Sequence, residues 1–440
     1  MSERATPDER LKVVYISPGA AGMYCGSCMN DNMIARTMMR LGHDVMLLPL
    51  YTPILTDEED VSDAHIFYGG INVYLQEKFS LFRHLPRFLD RVLDAPWLLR
   101  SIASGSVEVD PKVLGPMTLS MAQGERGRQR KEVKRLVDWL ARGERPSVVC
   151  LSNLMIGGAV PAIKRRLGVP VLLMLQGDDV FLDELPEPYR TPVIEELRAL
   201  AAQFDGVVAH SRFYADYMSD YFSIPREKIR VVPLGIDGRD FQSEAAKPAH
   251  EAPAKIGYLA RICPAKGLHV LVEAMIQLRR LEGAEQAELH VAGYLGPGDR
   301  DYFDKLRRRM EQEAGPGAMQ YFPDLDHNGK QDFLRSLDLF SVPTVYRDPK
   351  GRYVLEALAS GVPVVQPSHG AFPELLGDTG GGRLVPPEDP AALAHVLHEL
   401  IQQPEERRRL GESGRAAVRE RHSAEAATDA MIEVISQFVR

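Results

Sequence analysis

Short, continuous apolar runs recur along the first half of the chain: "LKVVYIS", "DVMLLPL", "SVVCLS", "VPVLLML", "FDGVVAHS" and "IRVVPLG". Each reads as a strand with no wet face. Between several of them the spacing lengthens to that of a helix, as in "MNDNMIARTMMRLG" and "RFYADYMSDYF". Apolar strands separated by helices predict a parallel sheet covered on both sides.

The rhythm stops at "DGRDFQSEAAKPAHEAPAK", which is rich in Ala, Pro and charge and poor in core residues, and reads as an interdomain linker. It then restarts. "KIGYLAR", "AELHVAGY" and "LFSVP" read as strands, and "GLHVLVEAMIQLRRLEG" and "KQDFLRSLD" as helices. In "GRYVLEALASGVPVV" a helical spacing meets Gly361, Pro363 forbids its continuation, and a buried strand follows. The tail "SAEAATDAMIEVISQFVR" is an amphipathic helix expected to pack back towards the first domain. The predicted class is α/β: two facing, doubly wound parallel-sheet domains at 1–237 and 255–422, a linker at 238–254 and a C-terminal helix at 423–440. In such sheets ligands bind beyond the carboxyl ends of the strands, so two facing domains would share one cleft.

Composition narrows the partners. With 440 residues and 45% hydrophobic content the chain can bury large cores. A net charge of −8 provides no basic footprint, so no nucleic-acid partner is expected. No apolar run is long enough to span a bilayer, and the charged start "MSERATPDERLKVVYIS" lacks a signal-peptide core, so a cytoplasmic location is expected. Four cysteines in so long a chain are not a disulfide framework.

Several stretches carry candidate chemistry. "GYLARICPAKGLHVLVEA" puts Arg261 and Lys266 in the loop after a strand and before a helix, a pairing that suits a diphosphate; alone they are equally two solvated cations. The acids Asp348 and Glu356 in "YRDPKGRYVLEALAS" shift that balance towards function. Asp348 falls in the loop before a helix and Glu356 about two turns along, so both would edge one crevice and grasp hydroxyls beside an anion held elsewhere. Gly19, Gly22 and Gly26 follow the first strand, where they either admit a phosphate to the backbone or simply form a tight turn. Cys25 and Cys28 make a C-x-x-C at a helix start, read as packing or loop structure ahead of redox chemistry. His210, His369, Asp178 and Asp179 sit just past strands and are either structural or functional. The segment "LFRHLPRFLDRVLDAPWLLRSIA" reads as a helical insertion over the acceptor end of the cleft, ahead of a contact with a membrane surface.

Taken together, "GYLARICPAKGLHVLVEA", "DPKGRYVLEALASGVPVV" and "HGAFPELLGDTGGGRLVPPEDPAALA" resemble the retaining glycosyltransferases of family 4, with "IRVVPLGIDGRDF" similar to the segment that ends their first domain. The resemblance implies the GT-B fold of two Rossmann-like domains and a hexosyl transfer from a nucleotide-diphosphate sugar of UDP or GDP type to an unidentified glycan, lipid or small-molecule acceptor. It implies that Arg261 and Lys266 bind the donor diphosphate, that Glu356 holds the ribose as the second glutamate of E-x7-E, and that Asp348, in the place of the first, contacts the transferred sugar. Gly351 and the amides after it would face the phosphates, Gly19 to Gly22 would close over them, and the base would lie against Asp324 and Leu325. Arg261, Lys266 and Asp348 are then the catalytic set, with no dedicated protein base, metal or cofactor. The chain departs from the pattern at Asp348, where glutamate is usual, and at Cys150 and Gln176, near which relatives carry histidines. A nucleotide-sugar binding protein without transfer, or a phosphorylase or epimerase on the same fold, are the alternatives. Peripheral contact with the inner membrane face stays open.

Overall fold

Two six-stranded sheets, parallel at every described pairing, organise the chain. The computed structural model describes residues 10–19, 25–56, 58–63, 111–238, 253–323 and 325–439. The expectations on Gly22, Asp324, most of the linker and the segment "LFRHLPRFLDRVLDAPWLLRSIA" lie outside those residues.

The chain divides into two compact units, one reaching Val232 and resuming at Ala427, the other running from Pro233 to Ala426. In the first, β1 (Lys12–Ser17), β2 (Asp44–Pro49), β3 (Val148–Leu151), β4 (Val171–Met174), β5 (Gly206–Ala209) and β6 (Ile229–Val231) lie in the order β2-β1-β3-β4-β5-β6. Every residue of β3, β4 and β5 is buried, which is why their sequences are unbroken apolar runs. Helix α1 (Gly26–Arg40) follows β1, and α2 (Arg212–Phe222) follows β5, started by the Ser211 hydroxyl accepting the Tyr214 amide.

The second unit repeats the plan with β7 (Lys255–Leu259), β8 (Glu288–Ala292), β9 (Met319–Phe322), β10 (Leu339–Phe340), β11 (Val364–Pro367) and β12 (Gly382–Val385), in the order β12-β11-β10-β7-β8-β9. Its helices include α3 (Leu268–Leu278), α4 (Arg300–Ala314), α5 (His327–Ser336), α6 (Arg352–Ala359), α7 (Phe372–Thr379) and α8 (Pro404–Arg421). Helix α9 (Ala424–Ser436) then carries the chain back into the first unit, where Phe438 packs on β5 at Gly206. Each unit has its own apolar core. In the second sheet the strand order reverses between β7 and β10, so the loops leaving those two strands flank a switch point, the usual ligand position in such sheets.

Candidate active site

The loops after β7 and β10 are held together by a close backbone approach. Gly267, at the start of α3, has φ +72°, and a Cβ there would lie 1.8 Å from the carbonyl oxygen of Pro343. Only glycine lets the two loops meet so closely. Their side chains then meet as well: Lys266 Nζ lies 2.9 Å from Asp348 Oδ2 and 2.6 Å from the Tyr346 hydroxyl.

Asp348 is almost wholly buried, and both its oxygens are engaged. Oδ2 accepts from Lys266 and from the hydroxyls of Tyr346 and Tyr353, each at 2.9 Å. Oδ1 accepts the Lys350 and Gly351 amides, both at 3.0 Å. Burial alone would raise this carboxyl, but the Lys266 ammonium and the converging donors hold it well below the usual carboxylate range. Burial likewise works to lower Lys266, and Asp348 and then Tyr346 outweigh it, so the ammonium titrates above its ordinary value. Burial, then the Asp348 charge, push the Tyr346 phenol up. In this network Asp348 is the anion at the helix start and the counter-ion of Lys266, both of its oxygens are engaged, and one of its donors is the Gly351 amide.

Glu356 lies apart from that pair. It is the fifth residue of α6, little more than one turn from the helix start rather than about two. Its Oε1 accepts from Lys330 Nζ and Arg352 Nε, both at 3.2 Å. No protein donor among the described residues engages Oε2. Arg261 is exposed in the loop after β7, its carbonyl accepting the Tyr258 hydroxyl at 3.2 Å, and Leu325 is partly buried against the core. The turn at His369 joins the site through its backbone: the Ala371 amide donates to the Asp348 carbonyl at 2.9 Å. Burial lowers the His369 imidazole, whose Nε2 is 3.4 Å from the Thr344 hydroxyl.

In the first unit the polar groups past the strands are mostly engaged with one another. Gly19 has φ +92°, and a Cβ there would lie 1.9 Å from the Thr52 carbonyl oxygen, so a tight turn alone demands glycine. His210 donates from Nδ1 to the Val232 carbonyl at 3.0 Å, while Nε2 lies 3.2 Å from the Asn30 amide, a structural arrangement. Asp178 accepts the Leu154 and Gln176 amides, and burial raises its carboxyl to about 6. Asp179 accepts the Tyr214 hydroxyl at 2.6 Å. Gln176 donates to Asp31 at 2.8 Å. Cys25 and Cys28 are not joined in a disulfide; the hydrogen bond from Cys25, then burial, push the Cys28 thiol up, the opposite of a redox-active cysteine. Among the described residues no group of three or more His, Cys, Asp or Glu is placed to hold a metal ion.

Residues 240–417 match the family model for glycosyl transferases group 1, and residues 108–239 match that for glycosyltransferase family 4. The chain belongs to this family. WcaL of Escherichia coli, named for colanic acid biosynthesis and glycosyl transfer, is 32% identical over 262 residues, 58% of this chain and 61% of that protein. The D-inositol 3-phosphate glycosyltransferase of Streptomyces avermitilis is 27% identical over 410 residues, covering 87% and 85% of the two chains. The match to WcaL thus spans about three fifths of its length, and other curated relatives match over about half to three quarters of theirs. The GT-B fold appears in the Anabaena protein HepE, solved with UDP, at 16% identity and a TM-score of 0.68 over 97% of this chain and all of that one.

Four side chains of this family 4 member join the site without having been singled out from the sequence: Tyr346, Tyr353, Lys330 and Arg352. Tyr346 had a signal, an aromatic two residues before a buried acid. Lys330 had none, since it reaches Glu356 from a different helix.

Proposed function

We propose that the protein transfers a hexosyl unit from a nucleotide-diphosphate sugar to an acceptor hydroxyl, with retention at the anomeric carbon. The observation that carries this reading is the lysine fixed at the β7–β10 switch point, with Arg261 in the same loop. As the bond from sugar to diphosphate breaks, negative charge grows on the departing phosphate, and oriented cations there stabilise the transition state more than the ground state. Asp348 enters this scheme by orienting Lys266 rather than by touching the sugar. Glu356 holds the ribose hydroxyls through Oε2, while Lys330 and Arg352 anchor Oε1. HepE was solved with UDP and with UDP-glucose, which supports a nucleotide sugar as the donor class. The scheme needs neither a metal nor a cofactor, because side-chain cations do the neutralising.

Thermal-shift measurements against UDP- and GDP-linked hexoses test the donor, since a ligand that binds only the folded state raises its apparent stability. Labelled donor then tests transfer. The reading expects a shift with at least one donor and label moved to an acceptor fraction. Lys266→Ala should cut turnover by about 10²–10³ when assayed below the variant's melting temperature, which falls because the buried pair is lost. Unchanged turnover would remove the lysine from the mechanism, and binding without transfer or hydrolysis would make the protein a nucleotide-sugar binder.

A further inference from the structure

The Lys266 ammonium has three hydrogens. One is directed to Asp348 Oδ2 at 2.9 Å and one to the Tyr346 hydroxyl at 2.6 Å. Tyr346 in turn donates its hydroxyl hydrogen bond to the same Asp348 oxygen at 2.9 Å, so lysine nitrogen, phenol oxygen and carboxylate oxygen close a triangle. A lysine held by one partner swings on its four-carbon stem. Held by two partners that are bonded to each other, its tip has one orientation. The Tyr346 and Tyr353 rings lie on either count within cation–π reach, each centroid 4.9 Å from Nζ. Asp348 alone would supply charge balance, so the phenol contributes direction.

We propose that Tyr346 is a positioning residue, which fixes Lys266 so that its third ammonium hydrogen, without an acceptor among the described residues, is presented to the donor's diphosphate. The inference rests on the nucleotide-sugar reading and deepens it. Tyr346 stays a protonated donor because burial and the neighbouring carboxylate both oppose its ionisation. The Lys–Asp pair is close to neutral as a unit, so its value to an anion lies in the aim of that single hydrogen.

The test is a cycle in the full-length protein: wild type, Tyr346→Phe, Lys266→Ala and the double variant. Phe keeps the buried ring and removes only the hydroxyl. Dissociation constants are measured for UDP and GDP and, by competition, for uridine and guanosine. Tyr346→Phe should weaken the preferred diphosphate roughly tenfold, the scale of one charge-assisted hydrogen bond, and leave its nucleoside unchanged. In the Lys266→Ala background the same change should add nothing, since the tyrosine acts through the lysine. The ratio of diphosphate to nucleoside affinity cancels any general softening of the fold. Equal weakening of nucleoside and diphosphate, no weakening of either, or a full effect in the Lys266→Ala background would overturn the role. A wild type that binds neither UDP nor GDP would instead bring down the donor reading, and this inference with it.

Discussion

Both oxygens of Asp348 are engaged inside the protein, whereas among the described residues Glu356 is tethered through Oε1. Their shared charge and their spacing in "DPKGRYVLE" were legible in the sequence, and so was the lysine; the difference between the two acids was not, because it depends on residues that arrive from other loops and helices. The consequence is two distinct phenotypes. Asp348→Asn leaves Lys266 without its counter-ion and should cost about 3 kcal/mol of stability at pH 7, as breaking a buried pair does. The sign follows from the shifts. Asp348 is depressed, so its contribution is complete above the unfolded value near 3.9 and fades as pH falls through its lower folded value; Lys266 is raised, so its share is complete below about 10.4 and fades above it. Urea unfolding should therefore show a gap between wild type and variant that is flat from about pH 4 to 10 and narrows on either side of that window. Glu356→Ala should also lower the melting temperature, because Lys330 and Arg352 lose their buried counter-ion, but its distinguishing mark is nucleotide binding weakened by roughly tenfold or more, the loss of an acceptor for ribose. Equal nucleotide affinity by calorimetry would undo the ribose assignment.

At the scale of elements, apolar runs announce the interior strands and amphipathic spacing announces the helices beside them. The pattern is silent at the edges. β9 is half-exposed along its length and β12 buries only Val385 fully, so neither presents a continuous apolar run. In α4 only Phe303, Leu306 and Met310 are buried, and in α8 charged residues dominate, so each reads as polar sequence until packing shows its one inward stripe. The site is sensitive to elements in the same way, since it exists only where the loops after β7 and β10 touch. Gly267→Ala asks an L-residue to adopt φ +72° with its Cβ 1.8 Å from the Pro343 carbonyl oxygen. A strained backbone of this kind costs on the order of 1–3 kcal/mol before the clash is counted. The expected result is a lower melting temperature and a separation of Lys266 from Tyr346 and Asp348, read as weakened binding of nucleoside diphosphate in addition to the lost stability. A variant that melts normally and binds normally would show that the close approach does not set the site.

At the scale of the molecule, the residues that the proposed scheme uses around the donor fall in one unit: Arg261, Lys266, Lys330, Tyr346, Asp348 and Glu356 all lie between Pro233 and Ala426. That unit has the attributes of an autonomous domain. Among the described residues its apolar core draws on its own residues, and its sheet has six strands. Its two ends are tied to each other, for the Ile236 amide donates to the His422 carbonyl at 3.0 Å, and His422 reaches the Leu234 carbonyl through Nδ1 at 2.9 Å and Asp378 through Nε2 at 2.8 Å. Such closure of the chain ends is what lets a segment be excised without opening its core. The first unit lacks that property, because it needs the stretch from Ala427 onward, including Phe438 against β5. Residues 233–426 expressed alone should therefore melt in one cooperative transition and bind the preferred nucleoside diphosphate within about tenfold, 1.4 kcal/mol, of the full chain, while moving no sugar. The complementary piece, ending at Val232, should aggregate or melt early for want of the last helix. Calorimetry on the excised unit decides the matter: if it folds but binds no diphosphate that the full chain binds, the donor is held by residues outside it, and the loops after β7 and β10 are only part of its site.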